Sequence, residues 1–317
     1  MIHVCVFAEV STMSDSTSTV STAPGANTFL PVVPEWRRMM NRFLGHRGLL
    51  MGSIILGLIV VLAILAPWLA PHDPYLQNIS QRMIPPVWHE KGSWEHIFGT
   101  DKLGRDYLSR LLYGARISLT IGLSSALISG LIGTTLGVLA GYFGGRVDAV
   151  ISYIITTRLA MPVVLVALAM SALVGGSLQM VIILLGLLLW DRFAVVARST
   201  TQQLRDAEFI ASAKVLGAST TYILVRELLP NILSALIVVM TLEMAHAILL
   251  EATLSFLGLG VQPPMPSWGL MISEGKAYMF FKTWVIAIPG IALMVLVLAI
   301  NLVGDGLRDM NAPEGRN

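Results

Sequence analysis

Long apolar stretches separated by short polar ones dominate this sequence. Six of them lie near 49–70, 117–141, 149–174, 178–198, 232–257 and 284–303. Each holds roughly 20 residues, the length of helix that crosses ~30 Å of hydrocarbon. A helix also satisfies its own backbone hydrogen bonds, which lipid cannot do. The pattern predicts an all-α, polytopic integral membrane protein with about six transmembrane helices.

The polar stretches divide the chain into four parts. A Ser/Thr-rich tail at 1–34 is predicted to be disordered, and 35–113 holds the first transmembrane helix and an extracytoplasmic loop. The remaining core at 114–308 contains a cytoplasmic loop at 199–231, and 309–317 form a C-terminal tail. Arg37, Arg38, Arg42 and Arg47 crowd before the first span, which predicts a cytoplasmic N-terminus. Six spans then return the C-terminus to the same side.

Composition agrees with a membrane location and excludes several function classes. The chain is 55% hydrophobic and 13% charged, against about 25% charged residues in soluble domains. A net charge of +2 does not indicate a nucleic-acid partner, and the single cysteine, Cys5, forms no disulfide framework. The sequence contains no G-x-x-x-x-G-K-[ST], H-E-x-x-H or G-x-S-x-G motif. We therefore predict no catalytic residue and no cofactor bound by this chain; a membrane-embedded hydrolase would need a nucleophile and base that are not found.

The polar interruption at 205–230 has the pattern of a short amphipathic helix. Asp206 is placed to cap it, Glu208 lies in its first turn, and Gly217 can end it with a positive φ. Residues three and four apart share one face of a helix. This apolar face comprises Phe209, Ala213 and Leu216. Such a helix, projecting from a membrane, predicts a docking site for a partner protein.

Ionisable residues within predicted spans are candidates for function, because a charge in hydrocarbon is costly. Glu243, His246 and Glu251 lie on nearly the same side of the fifth span, and Arg158 lies in the third. One interpretation is a polar stripe that lines a water-filled translocation path. The alternative is a buried structural network with Arg158 as the counter-ion. One histidine with two glutamates over two turns is weak ligand geometry, so no metal site is predicted.

Three further segments have a structural and a functional interpretation. Gly133, Gly137 and Gly141 form overlapping G-x-x-x-G steps, which allow close helix packing either within this chain or with another subunit. In the outer loops, the helical pattern from Tyr107 to Tyr113 could lie flat on the membrane, and Trp268 suits the membrane interface. We favour structural scaffolding over substrate contact for both loops.

Four segments together carry a family resemblance: FGTDKLGRD (98–106), SRLLYGARISL (109–119), LSFLGLGVQPPMPSWG (254–269) and NLVGDGLRD (301–309). In this order they resemble the signatures of ABC importer permease subunits. The likeness is to the dipeptide, oligopeptide and nickel family, and within it to the C-type permease. The resemblance implies the type I importer architecture in the cytoplasmic (inner) membrane. It also implies peptide import, with nickel chelates and glutathione as other substrates of similar permeases.

The resemblance further implies a role for the helix at 205–217. Permeases of this family carry E-A-A-x-x-x-G before the fifth span; here Ala211 replaces the Glu and Ser212 the first Ala, while Ala213 and Gly217 remain. The implied role is docking to a cytoplasmic ATPase. The candidate docking residues are Arg205, Asp206, Glu208, Phe209, Ala211, Ser212, Ala213, Lys214, Leu216 and Gly217.

The implied partners are a homologous second permease, two ATPase subunits that bind ATP and Mg, an extracytoplasmic solute-binding protein and membrane lipid. The main alternative from another class is a secondary transporter. In that case Glu243, His246 and Glu251 would act as a proton relay, and no ATPase would be needed.

Overall fold

The computed structural model describes residues 43–311, and every regular element within that range is helical. The predicted tail at 1–34 and the last six residues lie outside the described range. The helices are α1 (Arg47–Ile64), α2 (Ala66–Leu69), α3 (Tyr107–Phe143), α4 (Gly145–Ala160), α5 (Val163–Val174), α6 (Leu178–Leu188), α7 (Asp191–Leu204), α8 (Glu208–Val215), α9 (Thr220–Phe256), α10 (Trp268–Gly275) and α11 (Trp284–Asn311). The all-α prediction is confirmed.

Within residues 43–311, five helical spans are long and apolar enough to cross a membrane: α1, α3, α6 with α7, α9 and α11. A sixth candidate is α4 with α5, but this pair is bent by 87°. The third span predicted near 149–174 therefore consists of two helices joined at a sharp bend. The break falls at Met161 and Pro162, because proline lacks an N–H and disfavours helical backbone in the residue before it.

The central helix α3 has 37 residues, so it is about 55 Å long and exceeds the ~30 Å hydrocarbon thickness. Its first two turns contain Tyr107 to Tyr113, for which the sequence allowed a position flat on the membrane. They instead continue straight into the span, starting from an N-cap at Asp106 whose carboxylate accepts from the Ser109 N–H at 2.8 Å. Apolar positions at helical spacing do not distinguish a surface helix from the extension of a long one.

The polar connection between the fourth and fifth spans is shorter than the predicted loop at 199–231. Helix α7 continues to Leu204, and α9 already begins at Thr220. The first part of α9 contains a π-helical segment, Ile223–Leu228, just before Pro230. The Leu229 N–H bonds to Leu224 five residues back. The wider turn lets the helix continue through Pro230, which has no N–H to donate to the preceding turn.

Helix α3 packs against α7 at the glycine steps. A Cβ on Gly137 would lie 2.5 Å from the Ala194 carbonyl oxygen, and one on Gly141 would lie 2.7 Å from that of Arg198. Hydroxyls add cross-helix bonds to α6, since Ser129 donates to the Gly186 carbonyl at 2.8 Å. Of the two interpretations left open for these glycines, packing within the chain is the one observed.

A buried ionic cluster joins the loop after α2 to α10. Arg105 Nε lies 2.6 Å from Asp101 Oδ2, and Arg110 Nη2 lies 2.7 Å from Glu274 Oε2. Arg105 and Arg110 are 2% and 1% exposed. Such charges tolerate burial only when paired, so these residues of the 98–119 segments fix the loop in place, as the scaffolding interpretation expects.

The position expected for Trp268 is wrong. The side chain is 3% exposed, and its indole N–H donates to the Leu111 carbonyl at 2.8 Å. A Cβ on Gly114 would lie 2.7 Å from Trp268 Cδ1. The missing side chain at Gly114 therefore makes the space that the indole occupies within the protein, away from lipid.

We predict that Gly137→Ala destabilises the detergent-solubilised chain. The added methyl group meets backbone of α7, and overpacking of this kind costs about 1–3 kcal/mol. Thermal unfolding followed by tryptophan fluorescence should show a lower Tm. Gly57→Ala is the control, since a Cβ at Gly57 meets no atom within 4 Å; equal Tm values for the two variants would contradict the packing account.

Candidate functional site

Helix α8 forms a short projection between the ends of α7 and α9. It starts one residue later than expected: Ala207 occupies the N-cap with φ −70° and ψ 152°, without a side-chain cap. The capping role expected for Asp206 is therefore wrong, and its carboxylate instead lies 3.3 Å from Arg205 Nε. Gly217 has φ +80° directly after the helix, as the sequence predicted, and glycine adopts that conformation without strain.

Most of the predicted docking residues lie at the surface of α8. Phe209 is 39% exposed and Leu216 is 86% exposed, while Ala213 is half-buried and faces the protein. Val215 is 87% exposed, although the helical-face argument did not select it. The exposed members of the predicted set are Asp206, Glu208, Phe209, Ala211, Ser212, Lys214, Leu216 and Gly217.

Three contacts hold α8 and the turn before it against the ends of the long helices. Ile210 is fully buried and packs with Ile223 and Leu228 of α9. The Lys214 ammonium lies 5.5 Å from the centroid of the Tyr142 ring at the end of α3. Arg205 Nη1 donates to the Gly141 carbonyl at 3.3 Å. Sequence reasoning missed Ile210, although it is the fully buried residue of α8.

A polar pocket lies between α4, α7 and α9. Glu243 on α9 is fully buried; its Oε1 lies 3.1 Å from Arg192 Nη1, and its Oε2 lies 3.6 Å from His246 Nδ1. The pocket volume is about 160 Å³. Its lining comprises Arg158, Leu159, Met161, Val163, Leu189, Asp191, Arg192, Glu243 and His246. The break between α4 and α5 thus borders this pocket.

The structure brings together only part of the predicted polar stripe. Arg158 lines the pocket, but its guanidinium donates to the Leu188 carbonyl, and the counter-ion of Glu243 is Arg192. Glu251 lies elsewhere: its Oε1 accepts from Ser255 at 2.7 Å and from Ser267 at 2.9 Å. The continuous stripe that a proton relay would use is therefore interrupted. Arg192 was not among the candidate residues selected from the sequence.

Helix α7 connects the pocket to α8. Asp191 and Arg192 stand at its start, and Arg205 follows its last residue, Leu204. Beside the α3 contact, Arg198 Nη2 lies 2.7 Å from Asp148 Oδ2 of α4, and Gln202 donates to the same oxygen at 3.2 Å. The helix is held on two sides along its length.

Two family models match the chain. Residues 133–316 match the binding-protein-dependent transport system inner membrane component, and residues 35–86 match the N-terminal TM domain of oligopeptide transport permease C. The first match alone covers more than half of the 317 residues. The chain belongs to the binding-protein-dependent ABC importer permease family.

Similar permeases cover almost the whole chain. The di/tripeptide transport system permease protein DppC of Pseudomonas aeruginosa is 38% identical over 295 residues, which are 93% of this chain and 97% of the relative. The dipeptide transport system permease proteins DppC of Haemophilus influenzae and Escherichia coli are each 38% identical, over 287 and 285 residues. They cover 90% of this chain, and the matches span 97% and 95% of those relatives.

The fold also resembles a solved transporter. A chain from the MetNI methionine ABC transporter, in inward facing conformations, aligns with a TM-score of 0.54 and 19% identity. The alignment covers 65% of this permease and 98% of that chain. At this identity the likeness establishes the fold alone. Together these findings make the chain a multi-span permease subunit of the inner membrane, and the secondary-transporter alternative is set aside.

Proposed function

We propose that this permease is the translocation subunit of a peptide importer driven by ATP hydrolysis on separate subunits. It would pair with a homologous permease, attach to two cytoplasmic ATPases that hold ATP and Mg, and receive substrate from an extracytoplasmic binding protein. The observation that carries the proposal is the exposed apolar end of α8, held in place by the buried Ile210. The peptide substrate is supported by the dipeptide and di/tripeptide permeases that match along nearly the whole chain.

The surface of α8 has the character of a protein-docking site. Val215 and Leu216 are two adjacent, almost fully exposed apolar side chains next to the exposed Lys214. Apolar side chains grouped at the end of a rigid projection are typical of protein interaction sites. Burying such area in a groove contributes roughly 25 cal/mol per Å². Because contacts with α3 and α9 anchor α8, a force on this surface would be transmitted to both helices.

We propose that α7 transmits movement between the docking helix and the polar pocket. Its 14 residues form a rod of about 21 Å, with the pocket residue Arg192 at one end and α8 at the other. The backbone contact with α3 and the ion pair with Asp148 restrain bending. Closure of the ATPases against α8 would then shift Arg192 relative to Glu243, a rigid-element transition of a kind common in transporters.

The pocket of Arg192, Glu243, His246 and Arg158 is proposed to border the translocation path. Its charges of both signs suit a solute with both an amino and a carboxylate group, and the broken helix beside it leaves polar backbone available. Glu251 is proposed to be structural instead, since it contacts Ser255 and Ser267 outside this pocket. In this arrangement α8 faces the cytoplasm, and both termini lie on the same side.

We predict that Leu216→Glu uncouples the complex. A carboxylate in an apolar groove should lower substrate-stimulated ATPase activity and labelled dipeptide uptake by at least about tenfold, equivalent to about 1.4 kcal/mol. The measurement is made on the complex reconstituted in proteoliposomes. Gln203→Glu is the control, because it adds the same charge at an exposed position at the end of α7.

The control is expected to keep wild-type coupling. Normal ATPase stimulation by Leu216→Glu would refute docking through α8. If Leu216→Glu loses coupling but the wild-type complex takes up no peptide, the peptide assignment fails while the docking assignment stands.

We predict that Glu243→Gln lowers peptide uptake by at least about tenfold, about 1.4 kcal/mol in a barrier, because Arg192 loses its counter-ion. Co-purification of the ATPases should be unchanged. Glu251→Gln is the matched control: an amide oxygen can still accept from Ser255 and Ser267, so uptake should stay within about twofold. Equal uptake by the two variants would remove the pocket from the path.

A further inference from the structure

Three metal-ligating side chains meet at the end of α3 opposite to α8. His96 Nδ1 lies 2.9 Å from Asp106 Oδ1, and His72 Nδ1 lies 3.7 Å from the same oxygen. One ligand atom from each of the three residues lies within 4.8 Å of the other two. The residues are spread over 35 positions of sequence, so no spacing motif indicated them. None belongs to the weak His246 and glutamate arrangement that the sequence analysis set aside.

From this geometry we propose that His72, His96 and Asp106 form a binding site for a divalent first-row transition-metal ion such as Zn²⁺. Imidazole nitrogens and a carboxylate are ligands that such ions prefer over Mg²⁺ or Ca²⁺. Tetrahedral bonds of about 2.0–2.1 Å place ligand atoms about 3.3 Å apart. The two separations to Asp106 Oδ1 fall on either side of that value.

Hydrogen bonds around the cluster leave Asp106 Oδ1 available to a metal ion. Asp106 Oδ2 accepts from the N–H and the hydroxyl of Ser109, at 2.8 and 2.7 Å, so Oδ1 faces the two imidazoles without another donor. Such orientation of a ligating carboxylate by neighbouring donors is usual at metal sites. The backbone N–H of His72 also donates to the Ser109 hydroxyl at 3.1 Å, so one serine contacts both His72 and Asp106.

Each imidazole nitrogen that faces Asp106 Oδ1 can either donate a proton to that oxygen or share a metal ion with it. Gln81 Oε1 accepts from Asn78 at 2.8 Å, which identifies it as the amide oxygen, and His96 Nε2 lies 3.4 Å from it. If the Nε2–H of His96 donates to this oxygen, the Nδ1 lone pair faces the carboxylate, which is the arrangement that a metal ion between them requires. His72 Nδ1 is buried and has no hydrogen-bond partner among the residues described. A metal ion bound to both nitrogens and to Oδ1 would satisfy all three groups.

The site has room for a further ligand and connects separate parts of the fold. His72 is 33% exposed and lines a surface hollow of about 430 Å³ with Tyr75 and Tyr113. Water or another donor could complete the coordination from that side. A bound ion would tie the chain after α2 to the loop that carries His96 and to the first turn of α3. Its role would be to hold this outer loop, independently of the proposed peptide transport.

The test is Zn²⁺ binding to the untagged, full-length chain after chelator treatment, measured by competition with a chromophoric chelator. We expect the wild type to bind one more equivalent of Zn²⁺ than His72→Ala, or to bind it at least about tenfold more tightly. His89→Ala is the matched control, since His89 is an exposed histidine of the same loop outside the cluster; it should bind as the wild type does. X-ray absorption at the zinc edge should show two imidazoles in the wild type.

A second measurement guards against loss of folding. Zn²⁺ should raise the Tm of the wild type and of His89→Ala but not of His72→Ala, because only a native-state ligand shifts the unfolding equilibrium. His72→Gln serves if the alanine variant does not fold. Wild-type chain that binds no Zn²⁺ more tightly than about 10 µM, or equal binding by wild type and His72 variants, overturns the proposal and leaves the two histidines as polar neighbours of Asp106.

Discussion

The close contact between α3 and α7 is the constraint on which the rest of this permease depends. Side chains at Gly137 and Gly141 would collide with the α7 backbone, so the helices touch only because these positions carry none. Lipid gives little hydrophobic drive for helix association, and close packing of small residues replaces it. The contact places Arg192 beside Glu243 at one end of α7 and places α8 under α3 and α9 at the other.

The two ends of α3 serve different purposes. At one end, Tyr142 and the Gly141 carbonyl hold α8, whose apolar tip stays exposed. At the other end, a buried cluster of arginines and carboxylates fixes the outer loop to α10. Because α3 is far longer than the hydrocarbon is thick, both functions lie outside the lipid, where charges can be hydrated or paired. Between the spans lies the small charged pocket of Glu243, whose buried carboxylate has the Arg192 guanidinium at 3.1 Å.

Much of the fold followed from simple rules. Hydropathy located the spans, and Gly217 and the short helix before it were found from capping chemistry. The predictions from sequence were wrong where one local pattern is compatible with two structures. The segment from Tyr107 to Tyr113 is equally amphipathic as a surface helix or as the end of a long one. Trp268 is as suitable for a lipid interface as for a cavity over Gly114, and only the neighbouring helix decides between them. The N-cap of α8 is Ala207, one residue after Asp206, so the Asp206 carboxylate does not cap the helix.

The sequence by itself determined the class of protein, the number of spans to within one, and the position of the short helix α8. These depend on composition and short-range periodicity, which hold wherever the segment lies. Only the tertiary structure decided which charges meet. It paired Glu243 with Arg192 and moved Glu251 into a serine network, and it brought His72, His96 and Asp106 together across a loop. Contacts between residues distant in sequence depend on how the helices rotate and bend, as at Pro162. The spacing of residues along the sequence does not specify these rotations and bends.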